Sequence, residues 1–332
     1  TPCGTLFPYT TLFRSVQDFR LHVRAWRHHF AALFGTESLA RVRGFSPPEM
    51  ALPNHPDVAC AFVKTLTDCG YTWVLVQEHT IERRADGRAI ESGHLPHRLV
   101  CTDSTGETSS IIALIKTRGS DTKLVGQMQP YYEAKGLHRI DLAGKSVPPI
   151  VVQIADGENG GVMMNEFPPK YQEVVRESAG GDTALVNVTE YLAYLESLGL
   201  SETDLPEVQP IHQHRIWEKM APGDGPERLA EVIEAAAKAD DRFHMEGASW
   251  TGDISWVRGY EDLLGPMEKV SALFHEEVLQ SDISTSEYRY RNALFYLMVS
   301  QTSCYRYWGQ GRWTDYGREL CRRAEAILTH DF

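Results

Sequence analysis

Apolar side chains recur at helical spacing in several segments of the chain. The first of these, residues 16–34, reads VQDFRLHVRAWRHHFAALF, and its large apolar side chains fall three or four residues apart. Gly35 follows this face and is predicted to end the helix. The same spacing predicts further helices over residues 57–68, 227–239, 257–279, 286–298 and 315–329.

Short apolar runs predict strands that alternate with the first helices. They cover residues 40–45, 71–76, 99–101, 111–115 and 149–154. The last run, PIVVQI, lies between a proline and the polar segment DGENGG, which is typical of a strand buried on both faces of a parallel sheet. Alternating strands and helices indicate an α/β fold. No convincing strand pattern follows residue 216, so a helical subdomain is predicted there.

Polar side chains cluster directly after three of the predicted strands. Glu49 follows the first strand, Glu78 and His79 follow the second, and Asp156 and Glu158 follow the last. In α/β barrels the loops after the strands form the active face. The pattern therefore predicts a barrel enzyme with carboxylates at one end.

The segment GFSPPEM places Glu49 directly after two prolines. Proline restricts the backbone and removes a hydrogen-bond donor, so the segment is rigid. A rigid support suits a nucleophile, whose position must be held closely. The alternative is a surface turn with a solvated glutamate, and the motif by itself leaves both interpretations open.

The segment DGENGG joins two acids, Asp156 and Glu158, to three glycines. Glycine permits a ligand to approach the backbone closely. The segment suggests an acid/base group or a cation site, although a calcium loop requires more oxygen ligands at regular spacing. A plain turn with a capping aspartate is the other interpretation.

Histidines offer one possible sugar contact and no predicted metal site. His79, beside two carboxylate loops, is placed to bind a sugar hydroxyl. The pairs His94 and His97 (HLPH) and His212 and His214 (HQH) lack a nearby cysteine or a clear third ligand. Phosphate-binding and dinucleotide-binding motifs are absent as well, so the sequence predicts neither a metal nor a cofactor.

Aromatic residues in the helical region stand beside glycine and polar residues. The segments GASWTGDISW and SQTSCYRYWG contain four that are predicted to contact substrate: Trp250, Trp256, Tyr305 and Trp308. Sugars stack on flat rings with polar edges, whereas helical cores also bury such rings. The sequence leaves both interpretations open.

Composition and charge disfavour several classes of binding partner. The net charge of −12 disfavours nucleic acid and anionic membranes, because both repel an acidic protein. No run of 18 apolar residues predicts a membrane span. The six cysteines are irregularly spaced and form no C-x-x-C pair, which favours a reducing cytoplasm over a disulfide framework or zinc site.

The first fifteen residues read TPCGTLFPYTTLFRS and fit neither a secretory signal nor a transit peptide. They resemble translated adapter sequence, so residues 1–15 are predicted to be a non-native artefact. On that view the native chain began earlier, and its first strands are missing.

Taken in order, these segments resemble glycoside hydrolase family 57, a family of α-glucan-active retaining enzymes. GFSPPEM is similar to the family's nucleophile motif, DGENGG to its acid/base motif, and VQEHT to a segment that lines the substrate. The resemblance covers most of residues 40–320. It implies an incomplete (β/α)7 barrel over residues 16–215, truncated at its N-terminus, followed by a helical subdomain over residues 216–332.

The resemblance also implies an activity and a set of roles. Glu49 is the implied nucleophile and Asp156 the implied acid/base of an amylase, 4-α-glucanotransferase or branching type of enzyme. His79, with the flanking Glu78 and Glu158, is expected to contact an oligo- or polysaccharide substrate. The alternatives are a catalytically dead or incomplete carbohydrate-binding fragment, and a metal-dependent barrel hydrolase using His94, His97 and Asp156. The sequence does not indicate an oligomeric state.

Overall fold

The computed structural model describes residues 15–47, 50, 52–117, 128–152, 167–242, 258–302, 304–307 and 309–330. The chain divides into two compact units. One comprises residues 36–214, and the other combines residues 1–35 with residues 215–332. Among the described helices, none has the length and apolar character needed to cross a membrane.

The unit of residues 36–214 is built on a mixed β-sheet. Its described strands are β1 (Gly44–Phe45), β2 (Trp73–Gln77), β3 (Ile81–Arg83), β4 (His97–Thr102), β5 (Thr108–Lys116), β6 (Ile140–Leu142), β7 (Lys145–Val147) and β8 (Glu207–Pro210). Six of them form one sheet in the order β1-β2-β5-β4-β8-β3, and β6 and β7 form a separate antiparallel hairpin.

The larger sheet is mainly parallel and open. The pairs β1–β2, β2–β5 and β4–β8 are parallel, whereas β4–β5 and β3–β8 are antiparallel. The described strands begin the order with β1 and end it with β3, and no ladder joins these two edges. The α/β prediction is thus confirmed, but the predicted barrel is not, because a (β/α) barrel requires parallel strands that close on each other.

Helices and apolar side chains cover the sheet. The helix Pro56–Asp68 buries Phe62, and the ring of Phe45 lies edge-on to Phe62 and Tyr71 at centroid distances of 6.1 and 5.4 Å. The other helices of this unit are Thr36–Ala40, Gln129–Lys135, Phe167–Ser178 and Val188–Ser197, with short 3-10 turns at Glu78–Thr80 and Glu202–Asp204.

The described residues of the second unit are helical and contain no strand. Its helices are Val16–Phe34, Pro226–Ala239, Glu261–Leu273, Tyr288–Ser300, Cys304–Tyr307 and Arg312–His330, with a π-helical stretch at Phe274–Val278 and a 3-10 turn at Trp217–Lys219. Leu263, Phe274 and Leu297 are among its fully buried core side chains.

The helix Val16–Phe34, called the N-terminal helix below, belongs to this second unit rather than to the predicted barrel region. Its buried Asp18 accepts a hydrogen bond from Ser271 Oγ at 2.6 Å, and Leu21 packs against the core of the unit. Polar contacts of this kind give no periodic sequence pattern. The sequence therefore placed this helix in the predicted barrel over residues 16–215.

Two predicted strands differ from the structure. In residues 40–45 only Gly44–Phe45 pairs, because a short helix extends to Ala40. Residues 149–152 are not a strand. Pro148 and Pro149 have no N–H to give to a ladder, and the Ile150 N–H donates to the carbonyl of His94 at 2.9 Å.

Candidate active site

The carboxyl ends of β1, β2 and β5 share one edge of the sheet, because these neighbouring strands are parallel. In their register Phe45 pairs with Val74, and Gln77 pairs with Lys116. This edge is where an open α/β sheet normally binds its ligand. It is called the carboxyl edge below.

Glu78 and His79 follow β2 directly at the carboxyl edge, as predicted from their position after a strand. Both side chains are half-buried. They lie in a single 3-10 turn, which the Thr80 hydroxyl closes by donating to the Gln77 carbonyl at 2.8 Å. The turn therefore presents the two side chains from a fixed backbone.

The chain after β1 is held by a short turn. The Met50 N–H donates to the Pro47 carbonyl at 2.8 Å. Met50 is buried and has a φ of 56°, in the left-handed region that residues other than glycine rarely adopt. Such strain persists only where surrounding contacts hold it, and it is common at functional sites. Glu49 itself lies outside the described residues.

The segment that leads toward Asp156 also reaches the carboxyl edge. Its Ile150 is bonded to His94, which precedes β4, the strand beside β5. The Tyr191 hydroxyl donates to the Pro148 carbonyl at 2.8 Å and fixes the start of the segment. The predicted site residues Asp156 and Glu158 lie beyond Val152, outside the described part of the chain.

One hydrophobic cluster joins these two segments. Met50 and Ile150 are both buried in it together with Leu75 of β2 and Leu114 of β5, and Val152 packs against it. The position one residue after Glu49 and two positions shortly before Asp156 therefore belong to the same hydrophobic cluster.

Hydrogen bonds from two other segments support the Glu78–Thr80 turn, and no sequence pattern predicted them. The Ile211 N–H donates to the Thr80 carbonyl at 2.9 Å, and the Asn54 side chain donates to the Ile211 carbonyl at 3.4 Å. The next residue, His212, is buried with a φ of 55°. Only the pair of histidines in HQH marked this segment in the sequence.

The histidines considered as metal ligands have other partners. His97 is buried, and its Nδ1 donates to the Leu95 carbonyl at 2.9 Å. Burial lowers the pKa of His97 to about 4. His94 instead faces Glu133, with 3.7 Å between Nε2 and Oε1. Among the residues described here, no group of three or more histidine, cysteine, aspartate or glutamate side chains is arranged to hold a metal.

The predicted aromatic contacts fall in the second unit. Tyr305 is buried in the helical core, where its ring lies against Gly317, and burial raises the pKa of its hydroxyl. Trp250, Trp256 and Trp308 lie outside the described residues.

Comparisons with known proteins give one informative match. No protein-family model matches the chain, and no curated protein matches it. Among solved structures, the fold is similar to that of the 4-alpha-glucanotransferase from Thermococcus litoralis, with a TM-score of 0.52 and 16% sequence identity. The match covers 93% of this chain and 45% of that protein, so the chain spans less than half the length of its structural neighbour. At this identity the likeness concerns the fold alone.

Proposed function

We propose that the chain is a retaining α-glucan-active enzyme of the family 57 kind, with Glu49 as nucleophile and Asp156 as acid/base. The observation that supports this proposal is that Met50, next to Glu49, and Ile150, six residues before Asp156, are buried in the same hydrophobic cluster. The fold likeness to a 4-alpha-glucanotransferase supports the substrate class.

The proposed reaction proceeds in two displacements. The Glu49 carboxylate attacks the anomeric carbon while Asp156 gives its proton to the departing glycosidic oxygen, so that a glycosyl ester forms on Glu49. Asp156 then takes a proton from the acceptor hydroxyl, whose oxygen displaces Glu49. Water as acceptor gives hydrolysis, and a sugar hydroxyl gives transfer. Retention requires the two carboxyl groups to stand about 5–5.5 Å apart.

The remaining predicted site residues have supporting roles in this proposal. Glu78 and His79 bind sugar hydroxyls from the fixed turn after β2. Glu158 stands two residues from Asp156, where its charge favours the protonated form of the acid. The aromatic side chains Trp250, Trp256 and Trp308 are proposed substrate contacts, whereas Tyr305 is not, because it is buried in the helical core. The reducing cytoplasm is the proposed setting.

Substitution of the two acids tests the assignment. Glu49→Gln and Asp156→Asn are expected to lower the turnover of maltoheptaose by at least about a thousandfold, because each removes a group that acts in the transition state. The products of both hydrolysis and transfer are quantified by chromatography.

Matched controls carry the same chemical changes elsewhere. Glu107→Gln alters an exposed glutamate in the turn between β4 and β5, at the opposite end of β5 from the carboxyl edge, and Asp182→Asn alters an exposed loop aspartate. Both are expected to keep normal turnover. Absence of turnover by the unaltered chain, or near-normal turnover by either acid variant, refutes the proposed function.

A further inference from the structure

A cavity of about 410 Å³ lies in the unit of residues 36–214, where β3 ends and β4 and β8 begin. Its walls also include residues of the hairpin β6–β7 and of the loop before β4. Cavities of this size commonly bind small ligands. The described walls include no residue of the Glu78–Thr80 turn or of the segments that lead toward Glu49 and Asp156, so the proposed function leaves this cavity without a role.

The buried imidazole of His97 forms part of the wall and keeps only 3% of its exposure. Its Nδ1 donates to the Leu95 carbonyl at 2.9 Å, and burial lowers the pKa of His97 to about 4. The ring is therefore neutral at pH 7, and its Nε2 is a hydrogen-bond acceptor. No described residue donates to Nε2, and this atom is not fully enclosed by protein. The cavity thus contains an acceptor that is open to a hydrogen-bond donor.

Three charged side chains of the wall form ion pairs within the protein. The guanidinium of Arg83 is paired with Glu91, which also lines the cavity. Glu207, at the start of β8, is paired with Arg84 and with Arg98, with 2.8 Å between nitrogen and oxygen in each pair. The charges of these side chains are therefore largely offset before any ligand binds.

Two further carboxylates of the wall, Asp141 and Asp204, form no ion pair with any described cation. Both residues are exposed, so they stand at the mouth of the cavity. Asp141 Oδ1 accepts from the Gly144 N–H at 3.3 Å, and Asp204 Oδ2 accepts from the N–H and the hydroxyl of Ser201 at 2.8 and 2.7 Å. The bonds from Ser201 hold the pKa of Asp204 below its usual value. The mouth is therefore negative and attracts a cation.

Apolar side chains make up much of the remaining wall. Leu95, Leu142 and Leu205 are buried members of the hydrophobic cluster that includes Leu75 of β2, and they line the cavity together with Val208. They favour a ligand with an apolar body. A metal ion is disfavoured, because the described residues contain no group of three ligands arranged to hold one, and an anion is repelled by the mouth.

We propose that this cavity binds a small organic cation of the amino alcohol class. The ammonium group of the ligand pairs with Asp141 and Asp204 at the mouth, its carbon body packs against the leucines, and its hydroxyl group donates to His97 Nε2. A neutral sugar would leave the two carboxylates without an opposite charge. The site goes beyond the proposed glucan chemistry and does not depend on it.

Calorimetric titration of the unaltered chain with trans-4-aminocyclohexanol at pH 7 tests the site, and saturable binding is expected. Cyclohexane-1,4-diol, which has a hydroxyl in place of the ammonium group, is expected to bind about fivefold more weakly, because it lacks the attraction to the two carboxylates. Cyclohexylamine, which lacks the hydroxyl group, is also expected to bind about fivefold more weakly, because it cannot donate to His97.

Two variants match these two ligand changes. Asp141→Asn combined with Asp204→Asn is expected to raise the Kd of the amino alcohol about fivefold and to leave that of the diol nearly unchanged. His97→Phe is expected to give the amino alcohol and cyclohexylamine the same Kd, because the acceptor for the hydroxyl is gone. Asp182→Asn combined with Asp262→Asn changes two exposed aspartates outside this cavity and is expected to leave Kd unchanged.

A second measurement follows the histidine in the unaltered chain. The Nε2 resonance of His97 is expected to shift when trans-4-aminocyclohexanol saturates the protein, and to shift less with cyclohexylamine. Absence of saturable binding, an equal Kd for the diol, or an unchanged His97 resonance at saturation overturns the proposal. Binding of maltose that is tighter than that of the amino alcohol, and that the paired aspartate variant weakens, overturns it in favour of a sugar site.

Discussion

At the scale of single residues, the buried imidazole of His97 couples protonation to folding. Burial lowers its pKa to about 4, although the hydrogen bond to the Leu95 carbonyl partly opposes this effect. An imidazole in an unfolded chain has a pKa of about 6.5. Between these two values the unfolded chain therefore binds a proton that the folded chain does not.

The consequence is a loss of stability toward acid. As the pH falls from about 6.5 to 4, His97 is expected to lower the free energy of unfolding by about 3 kcal/mol, and the loss levels off below pH 4. His97→Gln removes this contribution, so the variant has a flatter stability profile, measured by urea denaturation at pH 7 and pH 4.5. The exposed His138→Gln serves as control. Equal pH slopes for His97→Gln and the unaltered chain rule out this coupling.

At the scale of elements, a buried carboxylate fastens the N-terminal helix to its unit. Asp18 Oδ2 accepts from Ser271 Oγ and from Gln301 Nε2 at 2.6 and 2.7 Å, and Oδ1 accepts from His275 Nε2 at 2.7 Å. Burial alone raises the pKa of Asp18, but the hydrogen bonds from His275 and Ser271 outweigh it and hold the pKa below its usual value. The carboxylate therefore stabilises the fold above the pKa of about 3.9 that it has when unfolded, and this stability is lost as the pH falls further.

Asp18→Asn is expected to lower the free energy of unfolding by about 2 kcal/mol at pH 7, because one amide oxygen cannot serve three buried donors. Thermal and urea denaturation measure this change. Asp262→Asn, which alters an exposed partner of Arg318, is expected to change stability by less than about 0.5 kcal/mol. Equal stabilities of the two variants would show that the helix is not held through Asp18.

The strand β1 depends on the absence of a side chain at Gly44. A Cβ at this position would lie 2.0 Å from a ring carbon of Trp73 on the neighbouring strand. Gly44→Ala is therefore expected to displace the indole or β1 and to cost about 1–3 kcal/mol, with a change in tryptophan fluorescence. Gly180→Ala, where an added Cβ meets nothing within 4 Å, is the control. Unchanged stability and fluorescence of Gly44→Ala disprove the predicted clash.

At the scale of the whole molecule, the helices were predictable and the sheet was predictable only in part. The predicted helix over residues 16–34 matches Val16–Phe34, and the one over residues 227–239 matches Pro226–Ala239. An amphipathic helix is predictable because its apolar residues recur every three or four positions in the sequence. The strands β3 and β8 lie in polar stretches, and their pairing depends on distant partners. Local patterns do not encode such pairing.

The candidate site shows the same division. The location of Glu78 and His79 was predictable, because residues that directly follow a strand lie at the edge of the sheet where that strand ends. The proximity of His94 to Glu133 was not predictable from the sequence, because it arises from the packing of a loop against a separate helix. The left-handed backbone of Met50 likewise gives no sequence pattern, since methionine does not favour that conformation.

The central claim is that a glucosyl group is carried on Glu49. Incubation of the chain with 5-fluoro-α-glucosyl fluoride, followed by proteolysis and mass spectrometry of the peptides, tests it most directly. One fluoroglucosyl group is expected in ester linkage on the peptide that contains Glu49, and none is expected in the Glu49→Gln variant. A label on another acid, or rapid glucan turnover with no label on any residue, would contradict it.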